Sequence, residues 1–257
     1  MRHCMRRFAS ALVAVAVLAL TGCTGDAAPT VAHADEGALS GDLVVYAAAS
    51  LARAFDAISE AFAAENPDVR ISSVYDGSST LVTQIREGAP ADVFAAADQA
   101  SMAKIDGLAG DPALFASNTL VIAMPTGNPG DVQSIADLAD AITVLCAPEV
   151  PCGAASETLL DNADVALEPA SIEQNVTAVL TKVTAGEADA GLVYATDVID
   201  RDDVDVIIPA GAGDVVSHYP IATLADARNP DAAAAFVDFV LSDAGQAILA
   251  DFGFGPP

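Results

Sequence analysis

The chain has 257 residues, with 36 acidic against 10 basic side chains and a formal net charge of −26. So negative a balance argues against nucleic acid or an anionic membrane surface as a partner of the folded part. Hydrophobic residues make up 53% of the sequence, which suits one large or two modest domains with real cores.

Arg2, Arg6 and Arg7 give a basic start, residues 8–20 form an apolar run, and Leu20-Thr21-Gly22-Cys23 follows. Roughly thirteen apolar residues are too few to span a bilayer comfortably, so residues 1–22 read as a secretory signal. The end of that segment resembles the lipobox of bacterial lipoproteins, in which cleavage leaves the cysteine, here Cys23, as a lipid-bearing N-terminus. The other reading is an ordinary signal peptide cut near residues 32–34, with Cys23 incidental. Residues 23–41 are small, polar and aperiodic, a flexible tether. From Cys23 onward seven basic residues face 36 acids, a charge of −29. If such a chain binds an anion, local dipoles and not overall attraction must hold it.

Residues 43–47 predict a buried strand and 50–65 a helix stopped by Asn66-Pro67. A strand at 69–74, a helix at 79–87 stopped by Gly88, a strand at 92–95 and a short helix at 99–106 follow. The strand at 119–124 ends in the loop Pro125-Thr126-Gly127-Asn128-Pro129-Gly130. A short helix at 135–139, a strand at 142–145 and a helix at 153–161 come next. Residues 172–185 predict a helix stopped by Gly186, then strands at 190–194, 204–208 and 218–223, and one or two closing helices over 230–250. Continuous apolar strands alternating with helices predict an α/β fold with largely parallel sheets. The Pro/Gly-rich stretches at 125–130 and 209–214 set off a middle lobe, 119–214, from a lobe made of 42–118 and 215–257.

Cys146 and Cys152 remain once Cys4 leaves with the signal and Cys23 is lipidated. In an exported chain this isolated pair, around a Pro-containing loop, reads as a disulfide in preference to a metal site; free thiols are the alternative. Catalysis finds little support. After Cys23 the histidines are His33, in the tether, and His218, in or near a strand. A secreted serine hydrolase would need Ser50 or Ser78 to meet His218 and an acid, and no Gly-x-Ser-x-Gly elbow is present. Anion binding finds more. Ser50, Ser78 or Ser79, Cys152-Gly153 and Asn175-Val176 all fall at or near helix starts, where side-chain hydroxyls and unpaired backbone N–H groups gather. Taken singly, each serine is a helix cap.

Ala47-Ala48-Ala49-Ser50-Leu51, Ser78-Ser79-Thr80-Leu81-x-x-Gln84-Ile85, Gly88-Ala89-Pro90-Ala91-Asp92-Val93-Phe94 and Ala97-Asp98-Gln99 resemble the periplasmic molybdate-binding proteins of ABC transporters. Pro148-Glu149-x-Pro151, Asn175-Val176 and Gly191-Leu192-Val193-Tyr194-x-x-Asp197 match in order, so the resemblance spans residues 42–255. It implies a two-lobed type II binding-protein fold, each lobe a mostly parallel sheet flanked by helices, with molybdate or tungstate in the interlobe cleft. Carried over, Ser50 and Ser78 each offer a hydroxyl and a backbone N–H, Cys152 and Val176 backbone N–H groups, and Tyr194 its phenol. Asn175 orients the turn before Val176, while the blocks at 88–94 and 97–99 are structural. The resemblance implies no catalysis, no cofactor and no side chain bonded directly to molybdenum. It implies an ABC permease as partner, an extracytoplasmic, lipid-anchored location and a monomer. Sulfate or phosphate is the alternative ligand. Two departures stand out: Cys152 replaces a small apolar residue, and Asp76, either a turn residue or an inward-pointing one, lies two positions before Ser78.

Overall fold

The computed structural model describes residues 38–257. The signal segment, Cys23, His33 and all but the last residues of the tether lie outside the described residues.

The founding element is β1 (Gly41–Ala48), whose Leu43, Val45, Tyr46, Ala47 and Ala48 are all buried. Apolar side chains on both faces make it a central strand, and it lies between β2 (Val69–Asp76) and β3 (Val93–Ala95), parallel to both. A 3-10 turn, Ala49–Leu51, leads into α1 (Ala52–Glu65), so the first turn of the expected helix is tighter than an α-helical one. Helix α1 buries Ala54, Phe55, Ile58 and Phe62, one stripe at three- and four-residue spacing. Pro67 bars its continuation.

Around this core the sheet runs β2, β1, β3, β9 (Val216–Thr223), β4 (Ala113–Pro125), β7 (Ala190–Tyr194), β5 (Thr143–Cys146) and β6 (Ser171–Glu173), with β8 (Val204–Ile207) also on β4. Its parallel pairs are β1–β2, β1–β3, β5–β6 and β5–β7, while each antiparallel pair involves β4 or β9. Strand β4 pairs with β9 from Ala113 to Thr119 and with β7 from Leu120 to Ala123. One long strand thus belongs to both halves of the sheet. Helices α2 (Ser78–Arg86), α3 (Gln99–Ala103), α4 (Pro151–Asn162), α5 (Val176–Thr184), α6 (Pro230–Leu241) and α7 (Asp243–Asp251) complete the layers.

Three elements depart from expectation. Residues 172–185 are not one helix, because Ser171–Glu173 pairs in parallel with β5 and α5 begins only at Val176. Asn175 is extended there, and its side chain accepts the Ala178 N–H as the cap of α5, which fixes the boundary. Helix α4 starts at Pro151, two residues before the expected Gly153, since proline is preorganised for a first helical position. Strand β4 begins six residues early because its polar Ser117 and Asn118 are still paired with β9.

The block at 88–94 is structural, as expected. Asp92 is buried; Oδ2 accepts the Val44 N–H of β1, and Oδ1 accepts those of Arg228 and Asn229 ahead of α6. Beneath α1 a chain of rings runs from Phe239 through Phe62, Phe236, Phe55 and Phe115 to Tyr219, with centroids 5.4–6.2 Å apart. It ends on Tyr194, 5.9 Å from Tyr219. Phe55 is wholly buried between Phe115 and Phe236. Phe55→Ala is expected to lower unfolding free energy by about 3–5 kcal/mol through lost transfer energy and the cavity left behind. Urea denaturation followed by circular dichroism checks this; a loss below about 1 kcal/mol contradicts the packing described.

Candidate functional site

The carboxyl ends of β1, β2, β5, β6 and β7 carry the candidate residues, and the chain turns into a helix within a few residues of each. Ser50 lies in the turn after β1, and Ser78 is the first residue of α2. Cys152 is the second residue of α4, Val176 the first of α5, and Tyr194 the last of β7. All five line one cavity, with Ala48, Ala49, Gly77, Ala97, Val150, Pro151 and Asn175 as its other walls. Residues near 50, 77 and 97 come from one half of the sheet, and those near 151, 176 and 194 from the other. The cavity is about 10 Å³ measured at the centre of a water-sized sphere, so it suits one small compact species. A roomier cavity of about 420 Å³, between Met102, Ile105, Leu114 and Pro220, has no comparable gathering of donors.

Among the described residues no charged side chain lines the site. What it presents is N–H and O–H groups. The backbone N–H groups of Ser50, Ser78, Cys152 and Val176 stand in the first turns of their helices, where an N–H group has no intrahelical partner. Pro151 has no N–H, which makes Cys152 the first donor of α4. Its turn is held tightly: a Cβ on Gly153 would stand 1.9 Å from the Ala147 carbonyl oxygen, so only glycine fits. The sulfur atoms of Cys146 and Cys152 lie 2.08 Å apart and join the end of β5 to the start of α4.

The hydroxyls are oriented by the protein. Ser78 Oγ accepts the Ala97 N–H at 3.0 Å, which leaves its proton free to donate. Asp98 caps α3 by accepting the Ser101 N–H at 2.8 Å, so the 97–99 block is structural, as expected. Ser50 Oγ pairs with Tyr219 Oη at 3.0 Å. Tyr219 also accepts from Asn118 Nδ2 at 3.4 Å, and the same Nδ2 donates to Thr196 Oγ1 at 2.8 Å. Tyr194 is buried and accepts a long hydrogen bond, 3.4 Å, from Ser217. Burial pushes both tyrosine phenols well above their ordinary range. Both therefore stay neutral and protonated.

Asp76 does not line the cavity; its Oδ1 accepts the N–H of Gly77 at 2.7 Å and Asn175 Nδ2 at 2.9 Å. It is a turn residue with a second partner. His218 lines a different cavity, with Asp98, Thr158 and Asp214, and bonds neither serine. The geometry of a serine hydrolase is not assembled. Tyr219, Asn118 and Ser217 were missed from sequence, because each sits inside a strand with no motif around it.

The family of bacterial extracellular solute-binding proteins matches residues 43–255. The chain is a bacterial extracellular solute-binding protein. This solute-binding protein is 44% identical over 252 residues to the molybdate-binding protein ModA of Mycobacterium tuberculosis, covering 95% of each chain. It is 29% identical over 223 residues to the putative ABC transporter substrate-binding lipoprotein YvgL of Bacillus subtilis, covering 82% of this chain and 85% of that one. The solved periplasmic molybdate-binding protein of Azotobacter vinelandii matches at a TM-score of 0.72 and 21% identity, over 84% of this chain and 99% of that one. That likeness establishes the two-lobed type II binding-protein fold.

A buried carboxyl lies directly behind the site. Asp197 Oδ2 accepts the Tyr194 N–H at 2.9 Å, and desolvation pushes its carboxyl up to about 7, against that bond and the charges of Arg201 and Arg53. An acid whose folded pKa is raised holds its proton more tightly folded than unfolded, so this group's contribution to stability falls as pH rises from about 4 to about 7. Asp197→Asn keeps an acceptor for Tyr194 and removes that fall. The variant is expected to gain thermal stability relative to wild type between about pH 4.5 and about pH 7.5. A melting-temperature difference that stays constant across that range contradicts the assignment.

Proposed function

We propose that this solute-binding protein captures molybdate or tungstate outside the cytoplasm and delivers it to an ABC permease. The observation that carries the reading is the convergence of Ser50, Ser78, Cys152, Val176 and Tyr194 on one cavity that presents neutral donors and no charged side chain. Such a lining favours an anion that is fully ionised at neutral pH. A protonated anion such as hydrogen phosphate needs an acceptor, and the polar acceptors here are turned to the protein. Ser78 Oγ takes the Ala97 N–H and Asn175 Oδ1 the Ala178 N–H. Hydrogen bonds to a charged partner are worth about 1.5–3 kcal/mol each. With seven or so donors set against the lost hydration of the ion, micromolar to nanomolar affinity follows. The 44% identity to a molybdate-binding relative supports molybdate over sulfate.

The two lobes in this reading are 42–118 with 215–257, and 119–214, pivoting near 117–120 and 207–216 where β4 passes from β9 to β7. Cleavage before Cys23 and its acylation would hold the monomer at the extracytoplasmic face of the cell membrane, a reading supported by Leu20-Thr21-Gly22-Cys23 and by the lipoprotein relative. The Cys146–Cys152 pair is a disulfide that stiffens the loop before α4, with no enzymatic role and no cofactor.

Titration calorimetry with molybdate, tungstate, sulfate and phosphate tests the function. Molybdate and tungstate are expected to bind at least about 100-fold more tightly than sulfate, with phosphate undetected. Tighter binding of sulfate than of molybdate overturns the ligand assignment. Ser50→Ala combined with Ser78→Ala should weaken molybdate binding by more than about tenfold through two lost charge-assisted hydrogen bonds; unchanged affinity discredits the site.

A further inference from the structure

We infer that Asp76 is a positioning residue for the bound anion, acting through Asn175 as a latch that closes the cleft. The inference rests on the proposed anion-binding function. Asp76 ends β2 and pairs in register with Ala48, the residue that precedes the Ser50 turn, so it is fixed to the first half of the site. Asn175 caps α5 in the other half. Its amide faces two ways: Oδ1 accepts the Ala178 N–H, which sets the first turn of α5 and with it the Val176 N–H. Nδ2 reaches across to Asp76 Oδ1 at 2.9 Å. The carboxylate therefore polarises the very amide that aims a ligand-facing donor, and it does so only while the two halves are together.

Two further contacts share that corner. Ser79 Oγ, on α2, donates to the Glu149 carbonyl ahead of α4. Gly77 lies so close to the opposite wall that an added Cβ would stand 2.2 Å from the Gln174 carbonyl oxygen and 3.6 Å from Asn175 Cβ. The backbone of Gly77 does not explain its identity, because φ −57° and ψ 134° suit any residue. What requires glycine is the approach of the other half. A side chain at position 77 is tolerated by an open molecule and excluded by the closed one.

A latch of this kind forms after the ion has entered, so its loss speeds escape and leaves capture unchanged. In Asp76→Ala and Gly77→Ala, molybdate dissociation is expected to quicken by about tenfold, as for one lost hydrogen bond to a charged group, while the association rate stays within about twofold. Asp76→Asn, which keeps an acceptor oxygen for Asn175, should fall between wild type and Asp76→Ala. The ligand-free melting temperature of Gly77→Ala should match wild type, an outcome that a merely structural glycine would not give.

A second readout follows the closed form itself. With molybdate bound, electron–electron resonance distances between spin labels at the exposed positions Glu60 on α1 and Glu157 on α4 are expected to shift toward longer separations in Asp76→Ala and Gly77→Ala. Distances and dissociation rates unchanged in both variants, in a protein that binds molybdate, overturn the latch and leave the function standing. A wild-type chain that binds no molybdate overturns the function, and the latch with it.

Discussion

An oxyanion buried in a protein forfeits hydration worth on the order of tens of kcal/mol unless every oxygen is bonded in return. In a chain with 36 acidic residues and seven basic ones after Cys23, that return cannot come from net charge. It comes from the geometry of chain reversal. Each strand that ends and turns at once into a helix leaves N–H groups with no intrahelical partner, and their dipoles favour negative charge. The sheet brings such reversals together from both halves, and everything else in the molecule serves to hold them in place. Asp92 ties β1 to the segment before α6, the Ala97 N–H orients Ser78, and Gly153 lets α4 begin directly on the Ala147 carbonyl.

The halves communicate through β4. Asn118 lies where that strand passes from β9 to β7, and its amide touches both Tyr219 and Thr196. Tyr219 in turn holds the Ser50 hydroxyl and is part of the ring chain that runs from Phe239 to Tyr194. The Ser50 hydroxyl is thus positioned by the hydrophobic core and by the crossing strand together. Packing and hydrogen bonding meet at one phenol, and its burial keeps it neutral. Asp76 and Asn175 make the complementary connection on the opposite side, through a bond that depends on closure.

Much of this was legible in the residues. The Ala-Ala-Ser and Asp-Gly-Ser junctions announce strand ends followed by helix starts, and the five expected ligand positions do line one cavity. Other features were hidden for physical reasons. Ile172 reads as the buried side of a helix, yet it is 53% exposed on an edge strand whose existence depends on pairing with β5. Strand direction is invisible to periodicity, so the antiparallel pairs made by β4 and β9 could not be foreseen. Tyr219 lies in an apolar strand and looks like core, which it is; its second role emerges only when Ser50, 169 residues away in sequence, is brought to its hydroxyl. Asp76 read as either a turn residue or an inward-pointing one, and it is the turn residue, bonded to Gly77 and Asn175.

In this site uncharged donors alone are expected to surround the ion. A crystal structure of the mature chain with molybdate tests it most directly. The account predicts the ion between the starts of α2, α4 and α5, with its oxygens within hydrogen-bond distance of the Ser50 and Ser78 hydroxyls, the N–H groups of Cys152 and Val176, and the Tyr194 phenol. Molybdate found elsewhere, or bonded by a lysine or arginine side chain, contradicts it.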